Sequence, residues 1–155
     1  MKTAKQSAGI LLYRQVSKQT EVFLVHPGGP FWAKKDAGAW SIPKGEFTDE
    51  DPLDAAKREF FEETGMQADF NRFMPLKPVK LKSGKNVFAW VAQGDLDAAQ
   101  IKSNVLKLEW PPKSGKKIHF PEVDKGAWFT LDIAKEKINT SQAAFIEELA
   151  AKIIT

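Results

Sequence analysis

The sequence predicts a single α/β domain, a sandwich of strands mixed with a few helices. Three observations carry that expectation. Short runs rich in apolar and β-branched residues recur at 7–15, 21–26 and 87–93, with polar residues between them. A sharply bounded helix follows at 52–64, and an amphipathic helix closes the chain at 141–154. No repeat, linker or low-complexity tract interrupts the 155 residues, so 1–155 reads as one domain long enough to bury a core.

Composition narrows the class. Hydrophobic residues at 43% and charged residues at 28% are ordinary for a globular protein. Without cysteine there is no disulfide, thiolate zinc site or cysteine nucleophile. The apolar run from Ala8 to Tyr13 stops at Arg14, too soon for a signal-peptide core or a bilayer span. A cytoplasmic protein that does not enter the membrane is expected.

In chain order, 7–15 and 21–26 are expected to pair through a turn at Ser17-Lys18-Gln19. A loop with three glycines and two prolines fills 27–39 and carries Phe31 and Trp32, and a short strand at 39–43 leads into Lys44-Gly45. Further strands are expected at 68–73, 79–81 and 87–93, and short helices at 97–102 and 130–138. Trp110-Pro111-Pro112-Lys113-Ser114-Gly115 reads as a loop. In the last helix Phe145, Ile146, Leu149, Ala150 and Ile153 form one stripe.

The helix at 52–64 carries the chemistry. Asp51 is suited to cap it, Pro52 to its first position, and Gly65 to its left-handed end. At 100° per residue Leu53, Ala56, Phe60 and Thr64 form the core face. Glu59, Glu62 and Glu63 lie beside it within an arc of roughly 100°, with the small Ala55 one turn earlier. Arg58 stands four residues from both Asp54 and Glu62 and can pair with either. Crowded carboxylates repel one another, and a divalent cation removes the conflict. Oxygen ligands without His or Cys favour magnesium, or manganese, over zinc.

The stretch Gly45-Glu46-Phe47-Thr48-Asp49-Glu50, followed by Arg58-Glu59-Phe60-Phe61-Glu62-Glu63-Thr64-Gly65-Met66, resembles the signature of the Nudix hydrolases. Trp40-Ser41-Ile42-Pro43-Lys44-Gly45 resembles the family's lead-in strand, and Ala127-Trp128-Phe129 its late strand. Four residues separate Gly45 from Glu50 where the family pattern has five, so the connecting loop is one residue short.

The resemblance implies an α/β/α sandwich with a mixed central sheet and a cation-dependent attack of water on a diphosphate. Glu59, Glu62 and Glu63 would be metal ligands and catalytic groups, with the Gly45 carbonyl as a further ligand. Arg58 and Glu50 would support them. An extra glutamate outside the helix assists in many members; Glu122 is the first candidate and Glu109 the second. The implied substrate is a dinucleoside polyphosphate or a nucleoside triphosphate, and a nucleotide sugar or an RNA 5′ end is also within the family's range.

Several residues outside the signature suit such a substrate. Lys44 adjoins the metal loop, and Lys80, Lys82 and Lys85 straddle a Ser83-Gly84 turn where they can reach phosphates. Phe31, Trp32 and Trp110, on Pro/Gly-rich loops, can stack on a base or anchor their loops. His26 and His119 lack metal-type spacing and are expected to be buried and hydrogen-bonded. A catalytically silent nucleotide-binding module is the alternative function, and it would show as missing helix carboxylates. A general nucleic-acid binder is disfavoured by the acidic helix and a net charge of only +3.

Overall fold

The computed structural model describes residues 5–153. Its central strand, β1 (Gln6–Val16), is an almost unbroken apolar run because both of its faces are covered. Ala8, Ile10 and Leu12 enter one core and Leu11 enters the other. Ser17 and Lys18, with φ of 50° and 69°, turn the chain tightly into β2 (Gln19–Pro27).

Along β1, β6 (Asn86–Gln93) pairs in parallel, while β2 and β3 (Lys44–Phe47) share the other edge at opposite ends. The short strands β4 (Met74–Pro75) and β5 (Val79–Lys80) border β6, and β9 (Val123–Thr130) borders β2. This mixed sheet of seven strands is separate from a two-stranded hairpin of β7 (Val105–Glu109) and β8 (Lys117–Pro121).

Helix α1 (Pro52–Thr64) covers one face of the sheet through Ala55, Ala56 and Phe60. The other face is covered by α2 (Leu131–Lys137) and α3 (Ala143–Ile153), through Ala134, Phe145, Ile146 and Leu149. The layers are therefore α/β/α, as expected. Burying Phe60 alone contributes about 2–3 kcal/mol.

Four expectations need correction. At 39–43 there are only isolated bridges at Trp40 and Ser41; regular strand begins at Lys44, so Lys44 and Gly45 lie on β3. Residues 68–73 are irregular, because Phe70 and Phe73 turn into the core beside Phe60 and strand forms only at Met74–Pro75. The helix expected at 97–102 shrinks to a 3-10 turn at Ala98–Gln100, capped by Asp97. The β7–β8 hairpin was not anticipated, since its strands are largely exposed and leave no continuous apolar run.

Candidate active site

The site forms where β3 splits from β2 along β1 and α1 crosses above them. Helix α1 begins as its sequence dictates: the Asp51 carboxylate accepts the Asp54 N–H at 3.1 Å, and Pro52 occupies the first turn. Gly65 closes it with φ of 75°, a conformation costly for any residue with a Cβ.

The helix is turned further towards its carboxylates than periodicity alone predicts. Ala55 packs in the core rather than leaving open space, Leu53 is only half-buried, and Glu59 and Glu63 are 6% and 4% exposed. Gly45 makes this possible. A Cβ there would lie 2.1 Å from the Glu59 carboxyl, so only glycine leaves the acid its place against β3.

Arg58 gathers the surrounding acids. Its Nε donates to both Glu50 oxygens at 3.1 Å and its Nη2 to Glu50 Oε1 at 2.7 Å, while Nη1 reaches Glu59 at 2.7 Å and Glu62 at 3.2 Å. Of its two helical options it pairs with Glu62; the Asp54 side chain is not among its partners. The short connection from Gly45 to Glu50 is absorbed by a turn with Asp49 at φ of 55°, and Glu50 still reaches Arg58.

Glu122 joins this group through the backbone. Lys102 and Asn104 donate N–H groups to the free α1 carbonyls of Thr64 and Glu62, both at 2.8 Å. The Asn104 carbonyl accepts the Glu122 N–H at 2.9 Å, and the Glu122 carbonyl accepts the Gly28 N–H at 2.8 Å. Segment 102–104 thus fastens Glu122 to the helix end that carries Glu62 and Glu63. Sequence reasoning missed it, because backbone pairing carries no residue signature.

Gln142 was also missed. It is buried, its Oε1 accepts the Ile42 N–H at 3.1 Å, and its Nε2 donates to Ser41 at 3.0 Å, tying the 3-10 turn Thr140–Gln142 that leads into α3 to the approach of β3. A glutamine three residues before Phe145, on the rim of an apolar stripe, was the available signal.

The electrostatics follow from crowding. Burial, then Glu122 and Glu59, push the Glu63 carboxyl well above the usual carboxylate range, although the Lys44 side chain and backbone amide draw it down. Glu59 is raised to about 6, mainly by burial and with Glu62 adding, while Arg58 opposes the rise. The Lys44 ammonium is lowered by burial and by Lys85. A cavity of about 160 Å³ lies between Glu63, Glu122, Lys44, Ser41, Val25, Pro27 and Val123. A larger one of about 610 Å³ adjoins Arg14, Asp95 and Trp128. There Arg14 stacks on Trp128 at 4.1 Å and pairs with Glu21 and Asp95, so its charge is already satisfied.

The other anticipated residues are scattered. Lys85 approaches the site and pairs with Glu46 at 3.6 Å, whereas Lys80 and Lys82 are exposed and do not line the cavity. Trp32 is half-buried in the 28–39 loop with its ring 5.0 Å from that of Phe31. Glu109 lies at the hairpin tip, where its carboxylate accepts the Lys113 N–H at 2.8 Å. Trp110 is half-exposed at the same tip. His26 is buried as expected, bonded to Asp124 at 2.9 Å and to the Lys35 carbonyl at 2.6 Å; His119 instead lies on the exposed hairpin.

A family model described as NUDIX domain matches residues 3–149, a span that includes every residue of this site. The chain belongs to the Nudix hydrolase family. This Nudix chain is similar in structure to the C. elegans Ap4A hydrolase in a binary complex. That pair has 20% identity and a TM-score of 0.67 over 97% of this chain and 98% of that one. The Shewanella oneidensis NrtR NUDIX domain complexed with ADP ribose has 17% identity and a TM-score of 0.67, covering 100% and 91%. The MutT protein of Methanosarcina mazei Go1 has 19% identity and a TM-score of 0.62, covering 99% and 98%. At these identities the likeness is one of fold. No curated protein matches the chain.

A divalent cation suits the donor chemistry of this Nudix site. The acids supply only oxygen, and two of them, Glu59 and Glu63, have their charged form disfavoured by burial and by neighbouring carboxylates. Among the described residues, no three such groups converge on a common point as they stand. Glu59 and Glu62 are both turned onto Arg58, and that contact must loosen if they are to join Glu63 around an ion.

Proposed function

We propose that this chain is a divalent-cation-dependent pyrophosphohydrolase that cleaves the diphosphate linkage of a nucleoside polyphosphate, either a dinucleoside polyphosphate or a nucleoside triphosphate. The observation that carries this reading is the juxtaposition of Glu59, Glu63 and Glu122, crowded enough to raise two carboxyls, beside a cavity that also contains Lys44. Glu59, Glu62 and Glu63, with the Gly45 carbonyl, would hold the cation, magnesium or manganese. When bound it supplies charge neutralisation at the phosphate oxygens and acidifies water.

The chain's own residues do the rest. Glu63 and Glu122 both line the cavity and would take a proton from attacking water, and the raised proton affinity of Glu63 suits that task near neutral pH. The oxygen–phosphorus bond to water forms as the bridging bond breaks, releasing a nucleoside monophosphate and a second phosphorylated product. Lys44 offers a positive charge to the substrate's phosphates. Arg58 and Glu50 hold the acidic array in register, and Trp32 offers a ring for the base.

The test is a panel of nucleoside triphosphates and dinucleoside polyphosphates assayed with magnesium, with manganese, and with chelator. Cleavage that requires the cation and disappears in a folded Glu62→Gln, Glu63→Gln variant is expected. Turnover that survives chelation would reject the mechanism. Nucleotide binding without turnover would instead favour a silent binding module.

A further inference from the structure

The β7–β8 hairpin plays no part in the site described above, yet it leads directly into it. Strand β8 ends at Pro121, one residue before Glu122. No helix or main-sheet strand packs against the hairpin in bulk; its firm contact is at its base, where Gly28 and Gly29 meet Pro121 and Phe120. Every residue of β7 is exposed, including Val105 at 63%.

Its charge is distinctive. The chain's 23 Lys and Arg exceed its 20 Asp and Glu by three. Residues 105–121 hold four lysines (Lys107, Lys113, Lys116 and Lys117) against Glu109 alone, so the whole excess lies in this hairpin and the remainder balances at 19 of each. A net charge that looks too small for polyanion binding when spread over the chain is therefore concentrated on one projecting arm.

The register sorts that arm into two faces. Leu106 opposes Phe120 and Leu108 opposes Ile118, and these four share one side, on which the β8 residues are half-buried. Lys107 opposes His119 and Glu109 opposes Lys117 on the open side. The Glu109 carboxylate is occupied by the Lys113 N–H, and Lys113, Lys116 and the half-exposed Trp110 complete the tip. Five residues of strand place that tip roughly 17 Å from Glu122.

We propose that this hairpin is a binding arm for single-stranded polynucleotide, which directs the strand's 5′-polyphosphate end into the Glu63–Glu122 cavity. The second half of the statement rests on the pyrophosphohydrolase reading. With Lys107 midway and Lys113, Lys116 and Lys117 at the tip end, the arm's charge stands away from Glu122. That placement suits phosphates that recur along a strand better than a compact polyphosphate, whose charge would sit close to Glu122. An aromatic ring at the far end provides a stacking surface for a base.

Two measurements separate the arm from the chemistry. The first is fluorescence anisotropy of the full chain with a labelled 5′-hydroxyl RNA of about ten uridines, which involves no hydrolysis. If all four lysines meet phosphates, affinity should fall about fifty-fold between roughly 50 and roughly 200 mM salt, and only about sevenfold in Lys107→Gln, Lys117→Gln. Trp110→Ala should weaken binding while leaving the salt slope unchanged. The second is hydrolysis of a nucleoside triphosphate beside a 5′-triphosphate RNA. The double lysine variant should lose kcat/KM on the RNA and keep it on the mononucleotide.

Absence of RNA binding, or an unchanged salt slope in the double variant, would overturn the arm. Self-association through the hairpin, lost in that variant while RNA fails to bind, would overturn it in favour of a second copy of the chain. Failure to hydrolyse either substrate with intact, lysine-dependent RNA binding would strike the pyrophosphohydrolase reading and leave the arm standing.

Discussion

Glu59→Gln separates what the acidic array costs from what it does. Glu59 is buried beneath α1, with its side chain 8% exposed, and its carboxyl is raised from the ordinary 4.5 to about 6. An acid whose folded-state value is raised binds its proton more tightly when folded. Its contribution to stability is therefore most favourable below pH 4.5 and is lost as pH rises towards 6. At 1.36 kcal/mol per pH unit, the charged form costs the cation-free protein about 2 kcal/mol above pH 6. That net value already includes the attraction of Arg58, and the Gln oxygen can still accept the Arg58 N–H. In chelator at pH 8 the variant should therefore be more stable than the parent by up to about 2 kcal/mol, or about 4–8 °C in Tm for a chain of this length.

The assay is thermal unfolding of both proteins across pH 4.5–8 with chelator, repeated with magnesium. The gap should close as pH falls to 4.5, and magnesium should raise the parent's Tm more than the variant's, while hydrolysis is lost in the variant. A variant no more stable than the parent at pH 8, or a gap independent of pH, would refute the claim that burial and crowding strain this carboxylate.

Gly45→Ala forces a Cβ to within 2.1 Å of the Glu59 carboxyl; it should cost about 1–3 kcal/mol by overpacking and cut hydrolysis steeply, read by unfolding and by kcat. Glu122→Gln should lower activity about 100-fold and move the acid limb of the kcat/KM profile to lower pH, because Glu122 is one of the charges that raise Glu63. An unmoved limb would separate the two residues. Phe60→Ala empties a fully buried position between α1 and the sheet and should cost about 3–5 kcal/mol in denaturant unfolding.

Local features were legible in the sequence because their causes are local. Asp51, Pro52 and Gly65 bound α1 through side-chain and backbone preferences that act within a turn. The apolar run of β1 announces a strand covered on both faces. The order Arg58-Glu59-x-x-Glu62-Glu63 places the acids on one side of a helix whatever that helix packs against, and the family signature around them led to the fold.

The tertiary structure decided what depends on distance in space rather than along the chain. It rotated α1 until Glu59 lay over the bare Gly45, and chose Glu50 and Glu62 for Arg58. It carried Glu122 to Glu63 through backbone bonds at Asn104 and Gly28. The chain's excess positive charge was gathered on one exposed hairpin, whose alternating short strands lack the continuous apolar signal of a buried one. The three carboxylates could be read in sequence. The burial of Glu59 and Glu63, and hence the cost of their charge, could be read only once the sheet lay beneath them.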